Sequence, residues 1–316
     1  MKKQVLCLTM AILMAFTAAG CSGQKGAAAD ESGSGGAASS EDTVAAVSAA
    51  GDTKEAGTQA AAGGVLKVGM ECAYAPFNWT QTAPEVSNGD KAAPIFGTSD
   101  YAYGYDVMVA QKLADQLGMT LEVHKVDWSS IVLGMNSGDY DAIIAGMGYT
   151  AERAAAVDFT EPYYIRDNVL VVKKDGPLAG AASLEDFKGC SATTQLGTIW
   201  EQYVPQIPEV KQLTYFETTS EVIMAVSTGS ADTGILDEPT AMSACVANPD
   251  LTYIKLEGDK GFTIPEGQSL NVCVAVKKGN TELRDKLDGA LKAIEWDQDK
   301  MNELMSEAVT LQPLSK

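Results

Sequence analysis

The chain has 316 residues, with 23 lysines and arginines against 42 aspartates and glutamates, and a formal net charge of -19. That length allows two domains of ordinary size. The acidic balance argues against nucleic acid as a partner and against broad adhesion to an anionic membrane surface, while solubility alone asks for much the same charge.

Lys2 and Lys3 precede an apolar run from Val5 to Phe16. The run is too short to span a bilayer and fits the core of a signal peptide, which predicts removal of residues 1–20. Thr17-Ala18-Ala19-Gly20-Cys21 resembles a bacterial lipobox, so Cys21 is the expected lipid attachment site, with Ala18 where Leu is commoner. A lipid there makes the protein anchored rather than spanning; plain secretion after a small-residue cleavage site is the other reading. Ser22 to Gly64 is rich in Ala, Gly and Ser and has no large apolar residue beyond Val44 and Val47. It cannot bury a core, and residues 21–64 are expected to be a flexible tether.

Val65 to Met70 alternates and predicts a first strand. Glu71 to Phe77 follows as a loop, and the polar stretch Thr80 to Tyr101 is expected to be a surface excursion. Asp106 is the expected cap of a helix whose apolar face is Val107, Ala110, Leu113, Ala114 and Leu117, closed by Gly118. Thr120 to Val126 predicts a strand, Asp127 to Gly138 a helix, and Tyr140 to Ala145 a strand. In the next stretch, Ala145-Gly146-Met147-Gly148 leads to a short helix opening at Thr150, with Arg153 one turn in, and Val157-Asp158-Phe159 begins another strand. Free backbone N–H groups at a helix start, with a guanidinium beside them, form a site for a small carboxylate. Further strands are expected at Asn168–Lys173, Cys190–Thr194, Ala231–Leu236 and Asn271–Val276. Helices are expected at Ser183–Gly189, from Gln195, at Thr219–Gly229, from Asp237 to Ala247, at Thr281–Glu295 and at Gln298–Ala308. Strands alternating with short helices predict an α/β protein with mainly parallel sheets.

Of six cysteines, Cys7 leaves with the leader and Cys21 is the anchor candidate. Cys72, Cys190, Cys245 and Cys273 could pair in three ways, and for the last three buried thiols fit their apolar runs better. His124 is the only histidine and there is no C-x-x-C pair, so no metal site is expected. No cofactor is expected either.

Several segments resemble the family 3 solute-binding proteins, the amino-acid-binding proteins of bacterial ABC importers. Ala145, Gly146, Thr150, Glu152, Arg153, Val157, Asp158, Phe159, Thr160, Pro162 and Tyr163 match the pattern A-G-x-[ST]-x-T-x-E-R-x-x-x-[VI]-D-F-[ST]-x-P-Y. The segments Glu71–Phe77, Gly104–Val107, Asp127–Asp141 and Asp237–Pro239 fit further family phrases. The resemblance implies a two-lobed, periplasmic-binding-protein-like fold of type II. Lobe 1 would comprise 65–167 and 272–316 and lobe 2 would comprise 168–271, with crossovers near Ile165–Val169 and Pro265–Val272. It implies a monomer on the outer face of the membrane that closes on an amino acid and presents it to an ABC permease.

On that resemblance Arg153 takes the ligand α-carboxylate, helped by the N–H groups of Gly148 and Thr198, each expected to begin a helical turn. Asp237 takes the α-ammonium. Tyr74 and Trp128 wall the side chain, and Glu71 and Gln195 touch its distal end; an acid at Glu71 leans toward a basic or other polar amino acid. Gly148 stands where the family usually has a Ser or Thr hydroxyl that helps hold the ammonium. Either the Gly146 carbonyl and Asp237 suffice, or the amino-group pocket is altered.

Two other readings compete. Gly146-x-Gly148-x-x-Ala151 formally fits a dinucleotide fingerprint, but only about eight residues separate Gly148 from the next strand, too few for a parallel crossover helix. The two-lobed scaffold also hosts dehydratases and sensor domains. No acid–base pair or G-x-S-x-G supports an enzyme, so a non-enzymatic binder is expected.

Overall fold

The computed structural model describes residues 63–313. The expected leader, Cys21 and all of the expected tether before residue 63 lie outside the described residues.

In chain order the strands are β1 Val65–Met70, β2 Ala73–Tyr74, β3 Asn78–Gln81, β4 Ala93–Pro94 and β5 Tyr101–Tyr103, followed by helix α1 Tyr105–Gln116. Then come β6 Thr120–Lys125, a 3-10 turn at Trp128–Ser130, α2 Ile131–Ser137, β7 Ala142–Ile143, β8 Gly148–Thr150, α3 Ala151–Ala156, β9 Val157–Ile165 and β10 Asn168–Lys173. The second half holds β11 Ser191–Thr193, β12 Lys211–Gln212, α4 Thr219–Thr228, β13 Thr233–Asp237, α5 Glu238–Ala247, β14 Leu251–Ile254, β15 Gln268–Lys277, α6 Thr281–Ala293 and α7 Gln298–Leu311.

Two sheets carry the fold. The first runs β6-β1-β7-β15-β8, with β9 also paired to β15; the second runs β12-β11-β13-β10-β14. β1 lies parallel to both β6 and β7, whereas β15 is antiparallel to β7, β8 and β9. In the second sheet β11 is parallel to β12 and β13, while β10 is antiparallel to β13 and β14. The sheets are therefore mixed rather than mainly parallel. The parallel pairs come from strand–helix–strand units, and the antiparallel ones from strands that enter after the chain has crossed between lobes. The first crossing is the two-residue step Arg166-Asp167 between β9 and β10. The return is complete by Gln268, where β15 already pairs with Thr150 of β8.

Val65 to Met70 forms β1 because Leu66, Val68 and Met70 face inward with no exposure. Burying each is worth roughly 1.5–3 kcal/mol. The stretch Thr80–Tyr101 is not merely a surface excursion. β2, β3, β5 and β4 make a third, antiparallel sheet, and Trp79, Ala92, Ala93 and Ile95 are buried in it. Its apolar residues are scattered among polar ones, so no period marks the strands.

Asp106 is not a cap. Gly104 holds the cap position of α1 at φ 123, and a Cβ there would lie 2.6 Å from the Phe77 carbonyl. Asp106 instead points inward, fully buried, and accepts from Asn78 Nδ2 and the Tyr163 hydroxyl, each at 2.7 Å. Cys72, Cys190, Cys245 and Cys273 are free thiols; Cys245 is only half-buried, the others are buried.

Candidate functional site

The cleft between the two sheets is lined by Glu71, Tyr74, Trp128, Ala145, Gly146, Arg153 and Arg166 on one side and by Gln195, Thr198, Ile199 and Trp200 on the other. Its floor is the loop Ala145–Met147, anchored from beneath. The Gly146 N–H donates to the Tyr163 hydroxyl at 2.9 Å, and that hydroxyl donates to Asp106. Gly146 sits at φ 63, and a Cβ on it would lie 2.5 Å from Tyr74 Cε1. Only glycine permits both that conformation and that approach.

Arg153 follows from the capping of α3. The Thr150 hydroxyl accepts from the Arg153 N–H at 3.0 Å and aims the side chain across the cleft. Its guanidinium donates to the carbonyls of Gly148 at 2.7 Å and Gly197 at 2.9 Å, and lies 5.2 Å from the centre of the Trp128 ring. Burial, then the neighbouring Arg166 charge, lowers its pKa to about 10.

Four hydrogen bonds join the lobes around the cleft. Gln195 Nε2 donates to Glu71 at 2.9 Å, Trp128 Nε1 to the Gly197 carbonyl at 3.1 Å, Arg153 to the same carbonyl, and the Tyr74 hydroxyl to Asp237 at 2.5 Å. Between them the cavity is only ≈ 10 Å³, room for about one water. This is a closed arrangement, and an amino acid can enter only if the lobes part.

Glu71 lies at the cleft wall. It is buried, and burial raises its carboxyl to about 7 even with the Gln195 hydrogen bond pulling the other way. Asp237 caps α5, accepting from the Thr240 N–H at 2.8 Å, while its other oxygen faces Tyr74. It is fully buried behind Tyr74 rather than on the cleft wall. Thr198 stands at the start of a 3-10 turn over Ile199–Gln202. Gly148 does not begin a helical turn: it lies in β8, paired with Val272 of β15, and its carbonyl serves Arg153. The glycine after the floor loop continues extended because β15 offers it a ladder.

Sequence reasoning missed Arg166, Ile199 and Trp200. Arg166 occupies the crossing between lobes, is 4 % exposed, and donates from Nη1 to the Gly146 carbonyl at 2.9 Å. Its guanidinium lies 5.0 Å from the centre of the Trp200 ring. The signal available was Gly148 itself, since a Cβ there would stand 2.8 Å from Arg166 Nη2.

Comparison with known proteins decides the family. The family model for bacterial extracellular solute-binding proteins, family 3, matches residues 66–307. The chain belongs to this family. The arginine-binding extracellular protein ArtP of Bacillus subtilis (strain 168) is 30% identical over 71% of this chain and 89% of its own length. The L-cystine-binding protein TcyA of the same organism is 26% identical over 74% of this chain and 77% of that protein. Among solved structures, an ancestral arginine-binding protein bound to arginine superimposes with a TM-score of 0.60 at 29% identity, covering 77% of this chain and 97% of that one.

Proposed function

We propose that this chain is the extracellular substrate-binding subunit of an amino-acid ABC importer, a binder and not an enzyme. It captures a polar amino acid between its lobes and delivers it to the membrane permease. The observation that carries this reading is the ring of four interlobe hydrogen bonds around Arg153. Contacts of that kind exist only when the lobes are together, so a ligand that reinforces them shifts the population toward the closed form. Arg153 and the Thr198 turn take the α-carboxylate. Asp237 takes the α-ammonium while still accepting from the Tyr74 hydroxyl, next to the Gly146 carbonyl. Trp128 and Tyr74 flank the side chain, with Glu71 and Gln195 toward its end. The leader 1–20 is removed, Cys21 carries the lipid, a palmitate-type acyl chain included, and residues 21–64 tether a monomer to the outer face of the membrane. The lobes are 65–167 with 272–316, and 168–271.

A thermal-shift screen against the twenty amino acids tests this, on protein unfolded and refolded to strip carried ligand. A binder raises the melting temperature by mass action. A rise with at least one polar amino acid is expected; no rise with any of them overturns the reading.

A further inference from the structure

Among the cleft residues, Arg166 has no place in the motif pattern. Its side chain is nearly fully buried, yet Nε finds no hydrogen-bond partner, which is costly for a guanidinium. Nη1 reaches the Gly146 carbonyl and, at 3.4 Å, the Tyr74 hydroxyl, while Nη2 fills the space that a side chain at position 148 would take. Glycine at 148 and arginine at 166 are thus one arrangement, with the first making room for the second. The result is two guanidiniums lining one small cleft, and the Arg166 charge disfavours that of Arg153.

We propose that Arg166 is a specificity-determining residue that binds a second anionic oxygen group on the ligand and turns the site against cationic side chains. This rests on the amino-acid reading above and names the class within it: an acidic amino acid, with its α-carboxylate on Arg153 and its second carboxylate on Arg166. With Asp237 taken by the α-ammonium, a cationic side chain would bring a third positive charge up to Arg153 and Arg166, a repulsive element of the sort that sets specificity. A carboxylate would complete the hydrogen bonding that Arg166 lacks in the protein alone. Glu71 does not oppose this, because burial has already moved its carboxyl to about 7, and a nearby anion favours its neutral form further.

Calorimetric titration of the refolded protein with L-glutamate, L-aspartate, L-arginine and L-lysine tests the proposal, on wild type, Arg166→Gln and Gly148→Ser. Wild type is expected to bind L-glutamate or L-aspartate more tightly than L-arginine. Arg166→Gln is expected to reduce that preference by at least about tenfold. Gly148→Ser moves the same way without touching the arginine chemically, since its new Cβ meets only the movable end of Arg166 and of Ile199. It therefore carries the test if Arg166→Gln does not fold. Tighter binding of L-arginine or L-lysine by wild type, or a preference unchanged in both variants, overturns the role of Arg166 and leaves the amino-acid reading standing. No heat with any amino acid, together with no thermal shift in the twenty-member screen, overturns both.

Discussion

The Tyr74 hydroxyl donates to Oδ2 of Asp237 at 2.5 Å, linking β2 of the first lobe to the capped start of α5 in the second. Both side chains are buried, and the Tyr74 ring stacks on Phe77 with centroids 4.8 Å apart. The hydroxyl can therefore be removed while the ring stays in place. Tyr74→Phe breaks the latch and leaves Asp237 with only the Thr240 N–H. A hydrogen bond to a charged group is worth about 1.5–3 kcal/mol. Ligand affinity is expected to fall about tenfold to a hundredfold, with the loss in the dissociation rate, as stopped-flow release of bound ligand will show. An unchanged release rate would remove the latch from the account of closure.

Arg153→Ala is expected to abolish ligand binding while the protein stays folded. The side chain is half-buried at the cleft, and the two carbonyls it satisfies, of Gly148 and Gly197, belong to loop and strand-edge backbone. Removal of a guanidinium that pairs with a carboxylate costs more than about a hundredfold in affinity. Calorimetry measures the affinity and circular dichroism the fold; wild-type affinity in this variant would sink the site assignment.

The order of strands and helices was legible where periodicity and caps agree. The helix expected over Thr219–Gly229 is one such case, found as α4 with Thr218 as its cap, and the Asp237-Glu238-Pro239 start of α5 is another. It was not legible where one residue serves tertiary structure. Asp106 has the sequence position of a cap but is drawn inward by Asn78 and Tyr163, and nothing near it in sequence announces those partners. Arg153 and Glu71, which lie in short motifs, and Gln195 all line the cleft. Arg166 was not foreseen there, since its place beside the cleft depends on the missing side chain at Gly148, which is remote in sequence and adjacent only once β8 and the crossing are folded.

Gly146→Ala tests the floor loop. A methyl group there would lie 2.5 Å from Tyr74 Cε1, and the backbone is held at φ 63, where L-residues are strained. Tyr74 is packed on Phe77 and cannot easily retreat. A destabilisation of about 1–3 kcal/mol is expected, together with loss of the Tyr74–Asp237 latch. Urea unfolding measures the first and ligand titration the second. Full stability would mean that the loop is free to rearrange, against its tie to Tyr163 and Asp106.

Glu71 sets a pH dependence whose sign follows from burial. In the folded protein its carboxyl is raised from 4.5 to about 7, chiefly by desolvation. Between those values the folded state holds a proton that the unfolded chain has released. Its contribution is therefore fully present below about pH 4.5 and is lost as pH rises through about 7. Asp106, raised from 3.8 to about 6 by the same cause, acts in the same direction over a lower window. Glu71→Gln keeps an oxygen for Gln195 to donate to and removes the titration. The variant is expected to match wild type in acid and to exceed it above about pH 7, by about 3 kcal/mol at most. Urea unfolding of both proteins at about pH 5 and about pH 8 gives the comparison. A gap of the opposite sign, or none, would mean that the lobes open and rehydrate Glu71 before the protein unfolds. The Gln195 contact would then be a closure device without weight in global stability.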